Sequence, residues 1–275
     1  MSTTTNPMKN PVKVALQQGK PVIGGTITVA SPDVAATLAS SGFDFLWIEM
    51  EHSPVTLESV RDMILATRGM PAVPMTRVPV NEPWMAKRVL DIGSLGVMFP
   101  FTSTPELAEQ AVKACKYPPL GIRGFGPSLA MPRWDYVGQE YTQFANENVL
   151  VVTIIEQKLA VENIEKIAAI PGIDVLFIGA SDLSYSLGVG GQRQHPLVKE
   201  AIAKVLAAGK KNGVPVGYPS GNADEIKQLI SEGFRFFQAN TELGMMKSAA
   251  DHLLNQVRGG GKSPLKSEGS IYGEK

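Results

Sequence analysis

The chain has one cysteine, three histidines and no net charge, and each shortage removes a class of protein. A single thiol, Cys115, forms neither an internal disulfide nor a zinc–cysteine cluster; this fits a reducing compartment and an inert core thiol. Lys plus Arg equals Asp plus Glu at 26 each, so no overall field draws the chain to nucleic acid or to an anionic membrane. The opening "MSTTTNPMKNPVKVALQQGK" lacks the apolar centre of a secretion signal, and no later run is long enough to span a bilayer. The expectation is a soluble, cytoplasmic protein that recognises a small molecule locally. Also missing is a dinucleotide fingerprint: "ITVASPDVAA" stands where its glycines would follow the first apolar run.

What is present is a rhythm of short apolar run, polar loop and helical segment. The runs cover 22–30, 45–50, 73–78, 96–101, 149–156, 175–180, 214–219 and 234–239. Segments such as "SPDVAATLASSG" and "NADEIKQLISEG" lie between them, opening on capping residues or Pro and closing on Gly. Eight strands apolar on both faces, each followed by a helix, predict a single-domain (β/α)8 TIM barrel. The barrel is expected over 11–257, with flexible ends at 1–10 and 258–275, the latter Gly-, Ser- and Lys-rich. The cluster "GIRGFGPSLAMP" follows a helix and reads as a long loop.

Barrel chemistry gathers where strands end. Those ends carry Glu49, Glu51 and His52, then Arg77, Glu156, Asp182, Asn240 and Glu242. Glu156 and Asp182 end adjacent strands and supply two hard oxygens, a pair suited to magnesium or manganese. Alternatively each acid caps a helix N-terminus, which suits Asp182 better than Glu156. Arg77 sits inside an apolar run, where a guanidinium calls for an anion: a substrate carboxylate, or a neighbouring glutamate. His52 is placed for acid–base chemistry by its company, whereas His195 reads as a helix-entry residue and His252 as surface.

Taken together, "GFDFLWIEMEHSP", "RVPVNEP", "VLDIG", "KYPPLGIRGFG", "IIE" and "FIGASDLSYSLG" resemble the HpcH/HpaI family of metal-dependent, pyruvate-specific class II aldolases, in order from Val22 to Ala250. The resemblance implies a TIM barrel assembled as a homohexamer. It also implies a divalent metal (Mg2+, Mn2+ or Co2+) that chelates pyruvate and favours its enolate. By position it assigns Glu156 and Asp182 as metal ligands, His52 as base, and Arg77 as the residue steadying the enolate oxygen. Asp91 would raise the basicity of a neighbouring subunit's histidine, and Ser181 and Asp182 would contact substrate through their backbone.

The implied reaction is reversible cleavage of a 4-hydroxy-2-oxo (2-keto-3-deoxy) acid to pyruvate and an aldehyde. Glu49, Met50, Thr26, Ile154 and "VGYPSGN" depart from the family pattern and bear on the aldehyde partner. Two rivals accompany this reading. One is a citrate-lyase-like lyase of CoA thioesters, for which the loop supplies Arg123 and Arg133. The other is a barrel that binds acids without turnover.

Overall fold

The computed structural model describes residues 8–258. Both expected flexible ends therefore fall almost wholly outside the described residues. Residues 8–10 of the N-terminal end are described, and among them Asn10 is fully buried. Its Oδ1 accepts from the Val12 and Lys13 N–H groups, capping α1 (Pro11–Gln17), while its Nδ2 donates to the Leu95 and Asn148 carbonyls.

The strands are β1 (Val22–Ile27), β2 (Phe45–Glu49), β3 (Val73–Arg77), β4 (Gly96–Phe99), β5 (Leu150–Ile155), β6 (Val175–Ile178), β7 (Val216–Pro219) and β8 (Phe236–Thr241). They pair in chain order, all parallel, and β8 closes on β1. The predicted (β/α)8 barrel is the observed fold. The helices after the first four strands are α2 (Pro32–Ser40), α3 (Leu57–Ala66), α4 (Pro83–Asp91) and α5 (Pro105–Cys115). Between α5 and β5 come α6 (Ala130–Trp134) and α7 (Gly138–Asn148). Then follow α8 (Lys158–Glu162), α9 (Ile164–Ala168), α10 (Ala180–Ser186), α11 (Pro196–Asn212), α12 (Ala223–Glu232) and α13 (Glu242–Val257).

The capping residues act as their positions suggest. Ser31, Thr56, Thr104, Asn222 and Thr241 accept backbone N–H groups at the starts of α2, α3, α5, α12 and α13. Gly213 and Gly233 end α11 and α12 at φ 69 and 114, a conformation that costs a side-chain-bearing residue more. Among the described residues no helix is long and apolar enough to cross a membrane.

The segment read as a long loop is only partly one. Beyond residue 129 it forms α6 and α7, and α7 buries Tyr141, Phe144, Ala145 and Asn148, a three-and-four spacing that marks one helix face. This excursion joins the end of α5 to the start of β5, so it covers the N-terminal face of the barrel, opposite the mouth. Lys116 lies there, donating to the Asn146 and Val149 carbonyls at 2.7 and 3.1 Å, beside a Lys13–Asp174 ion pair.

Burial pulls the Lys116 ammonium down to about 8. The folded chain therefore releases this proton at lower pH than the unfolded chain, and stability gained from that difference grows as pH rises from about 8 towards the ordinary lysine value near 10.5. Urea unfolding of wild type and Lys116→Gln at pH 7.5 and 10 should show the difference moving in favour of wild type, on the order of 2 kcal/mol. No movement would mean Lys116 stays charged in the fold. Cys115, next to it, is buried, and its thiol is pushed up to about 12 by that burial, as an inert core thiol should be.

Candidate active site

Aromatic packing inside the barrel settles which side chains point inward. Phe45 stacks on Phe236 with centroids 4.4 Å apart, and Trp47 meets Phe177 at 4.9 Å. These rings come from β2, β6 and β8 and make a floor. Since side chains alternate along a strand, Glu49, Gly179 and Gln238, two residues further on, also face the interior and lie one step nearer the mouth. The register pairs Trp47 with Met75 and Glu49 with Arg77, so Arg77 joins the same ring. A Cβ on Gly179 would stand 2.7 Å from Glu156 Oε2 and 3.3 Å from Ile154 Cγ2, which places both of those side chains on the inner wall.

Glu49 organises this ring. Its Oε2 accepts from Arg77 Nε at 2.5 Å and from the Trp47 indole N–H at 3.0 Å. Its Oε1 accepts the backbone N–H groups of Glu51 and His52 at 2.6 and 3.0 Å, pinning the turn after β2. One buried carboxylate thus ties the arginine to the histidine's backbone. Met50 is partly buried and packs against both apolar cores.

Glu51, one of the strand-end acids, lies beside Arg77. Arg77 Nη1 approaches Glu51 Oε2 at 2.9 Å as a charge contact, yet that oxygen has no hydrogen bond of acceptable angle. Burial raises the Glu51 carboxyl, against the opposing charges of Arg77 and His52. His52 Nε2 lies 3.7 Å from the same oxygen, with the imidazole 55% exposed at the rim.

Glu156 is 1% exposed and accepts the Phe101 backbone N–H at 2.6 Å. Phe101 holds φ 49, a strained conformation of the kind that clusters at functional sites. The Glu156 carboxyl is pushed up to about 8: burial is the main cause, the Glu51 and Asp182 charges add to it, and the Phe101 N–H and Arg77 oppose it. Asp182, in the first turn of α10, is therefore close enough to act on it. Ser181 stands at the same helix start, its carbonyl accepting from Ser184 Oγ.

The structure thus assembles Glu49, Glu51, His52, Arg77, Glu156 and Asp182 at one mouth, with Ser181 beside them. It does not bring Asp91 to His52 within the chain. Asp91 ends α4 at the opposite face, where its Oδ1 accepts from Arg123 at 2.7 Å. The Phe101 N–H could not be found from sequence, since a backbone donor leaves no residue signature. Gln238 was hidden inside the apolar run "FRFFQA". His195 caps α11 through Nδ1, at 3.2 Å from the Leu197 N–H, and His252 is exposed, both as expected. Glu242 accepts from Thr28 and Val29 and fastens the loop after β1. A hollow of about 450 Å3 along α7, lined by Gln139, Gln143 and Asn146 among others, lies away from all of these.

A divalent cation fits the donors present. All are hard oxygens, Glu156 is a buried acid beside two others, and the missing side chain of Gly179 keeps space beside Oε2. Among the described residues no group of three or more His, Cys, Asp or Glu is arranged to hold a metal.

A closed parallel barrel whose C-terminal mouth gathers buried acids around one arginine and a rim histidine defines a TIM-barrel enzyme. Residues 27–249 match the model of the HpcH/HpaI aldolase/citrate lyase family, and the chain belongs to that family. It is an enzyme of the carbon–carbon lyase kind. It is 36% identical over 237 residues to a 2-dehydro-3,6-dideoxy-6-sulfogluconate aldolase of Pseudomonas putida, covering 86% of this chain and 92% of the relative. It is 35% identical to a 5-keto-4-deoxy-D-glucarate aldolase of Klebsiella pneumoniae subsp. pneumoniae, covering 90% and 97%. Among solved structures, a HpcH/HpaI aldolase/citrate lyase family protein from Burkholderia cenocepacia J2315 superimposes with TM-score 0.84 at 35% identity, covering 91% of this chain and 100% of the other.

Proposed function

We propose that this chain is a cytoplasmic, divalent-metal-dependent class II aldolase that cleaves a 4-hydroxy-2-oxo acid to pyruvate and an aldehyde, and runs the reverse addition. The observation that carries this reading is buried Glu156 on the inner wall of the barrel, near enough to Asp182 and Arg77 for both charges to act on it. Glu156 and Asp182 would hold Mg2+, Mn2+ or Co2+, and the bound ion would supply Lewis acidity towards the 2-oxo group.

The residues of the chain do the rest. Arg77, locked by Glu49 and Glu51, presents a fixed guanidinium to the oxygen that gains charge as the carbon–carbon bond breaks. Backbone N–H groups at Ser181 and Asp182 receive the substrate carboxylate. His52, at the rim, takes the 4-hydroxyl proton. The thioester rival loses its footing: Arg123 and Arg133 are buried on the opposite face, one paired with Asp91 and the other stacked on Trp134, and neither is available at this mouth for CoA phosphates.

The test is exchange of the pyruvate methyl protons into deuterated water, followed by NMR with Mg2+, Mn2+ or Co2+. Exchange dependent on metal is expected; its absence with every metal overturns the reading. If pyruvate or oxalate then still raises the melting temperature, the barrel binds acids without turnover.

The assembly is a homohexamer in which Asp91 of one copy supports His52 of another. Its separation from His52 within the chain and the exposed Leu243, Met246, Leu253, Leu254 and Val257 along α13 support this. His52→Ala and Asp91→Asn are each expected to be nearly inactive; unfolding and refolding them together should restore activity, because mixed contacts pair an intact His52 with an intact Asp91. If the mixture is no more active than its components, Asp91 acts only within its own chain.

A further inference from the structure

With the carboxylate end of the substrate placed between Arg77 on β3 and the acids that follow β5 and β6, its other end must face the remaining wall, built by β7, β8 and β1. That wall has few groups able to form a hydrogen bond. On β7, Gly217 points inward, where a Cβ would stand 2.7 Å from the Phe177 ring, and brings no side chain. Pro219 is apolar, and Ser220 gives its hydroxyl to Glu225. On β1, the Thr26 hydroxyl donates to the Ala239 carbonyl at 2.9 Å.

Gln238 remains. It follows the inward Phe236 by two residues, and Phe236 lies among Phe45, Trp47 and Phe177, so the Gln238 carboxamide stands directly above the aromatic floor. The residue is 8% exposed, and its backbone carbonyl is used by the Ser220 N–H at 3.0 Å. Among the described residues no side chain holds its carboxamide. Immediately beyond it β8 bulges, since Gly24 pairs with Gln238 but Thr26 with Thr241. Bulges of this kind re-aim side chains next to active sites. The carboxamide is not among the buried side-chain atoms left without a partner, so it is open to solvent at the mouth, where a substrate hydroxyl can take the place of water.

We propose that Gln238 is a specificity-determining residue that hydrogen-bonds a hydroxyl on the aldehyde portion of the substrate, selecting hydroxylated over alkyl aldehydes. The inference rests on the aldolase reading. A carboxamide both donates and accepts, which matches a hydroxyl in either role and gives no advantage to an alkyl tail. A site built to hydrogen-bond a hydroxyl discriminates strongly against the analogue lacking it.

The experiment compares wild type with Gln238→Met and Gln238→Leu, both apolar and of similar size. The substrates are two 4-hydroxy-2-oxo acids of equal length, one with a hydroxylated and one with an alkyl tail. Wild type should favour the hydroxylated acid in kcat/KM. The variants should lose about tenfold of that ratio, through KM for the hydroxylated acid, while the alkyl acid and pyruvate methyl exchange are unaffected. An unchanged ratio in active variants overturns the inference and leaves the aldolase reading standing. So does an equal loss on both acids, or failure of both variants to reach a wild-type melting temperature, since either makes the amide structural. Wild type that turns over neither acid and exchanges no pyruvate protons overturns the aldolase reading itself, and this inference with it.

Discussion

Glu156→Gln should lower metal-dependent exchange of the pyruvate methyl protons by roughly a thousandfold or more, while leaving the fold intact. The two halves of this result come from the same geometry. The amide keeps the size of the carboxylate and still offers an oxygen to the Phe101 N–H, which Glu156 engages at 2.6 Å. With its carboxyl pushed up to about 8, the group is already mostly neutral at pH 7 in the metal-free protein, so the amide changes little charge there. The melting temperature of the metal-free protein at pH 7 is therefore expected to be unchanged or higher.

Affinity for a hard divalent cation falls instead, because two carboxylates become one carboxylate and a weaker neutral ligand. Two measurements separate binding from chemistry: NMR exchange, and the rise in melting temperature that Mn2+ gives. Both should vanish in the variant. Exchange within tenfold of wild type would remove Glu156 from the metal site; a lost Mn2+ shift with retained exchange would mean the chemistry runs without metal at this position.

The barrel was legible because its information is periodic. Eight runs such as "VLVVTIIE" alternate with helical segments that start on Ser, Thr, Asn or Pro, and that pattern admits few closed arrangements. The mouth was legible for the same reason, since strand ends fix which residues share it: Glu49, Glu51, His52, Arg77, Glu156 and Asp182 are all there. What stayed hidden depends on atoms without a sequence period. Whether Arg77 meets a substrate or a glutamate was open, and the structure shows Glu49 on Nε and Glu51 on Nη1. These contacts leave its substrate role to chemistry rather than to vacancy.

Two other features resisted for distinct physical reasons. Asp91 carries a motif, "VLDIG", but the motif says nothing about which end of the barrel it occupies; the helix that holds it, α4, runs away from the mouth. Gln238 lies within an apolar run, where a single polar residue reads as noise until the inward rings on either side of the barrel are known. The α7 helix, by contrast, was recoverable: Tyr141, Phe144, Ala145 and Asn148 form one face, overshadowed by the glycines upstream.

Arg77→Met is expected both to silence exchange and to destabilise the fold by about 3–5 kcal/mol, and the two effects can be pulled apart. Arg77 stands between two carboxylates whose side chains are 3% and 8% exposed, so its loss leaves Glu49 and Glu51 buried without their counter-ion. Burial already raises the Glu51 carboxyl with Arg77 present. Without it, the folded-state Glu51 carboxyl rises further above its value in the unfolded chain. A raised folded value gives stability that is present at low pH and lost as pH rises, so the variant should recover stability between pH 7.5 and 5.5 more than wild type does. Adding Glu51→Gln to Arg77→Met should restore part of the loss at pH 7.5, about 1–2 kcal/mol, by removing one stranded charge. Exchange should stay silent in both, because neither replaces the guanidinium that faces the developing oxygen charge. Urea unfolding at the two pH values and NMR exchange report the two effects independently. If the repaired double variant also regained exchange, Arg77 would be a clamp for the acids around it and nothing more.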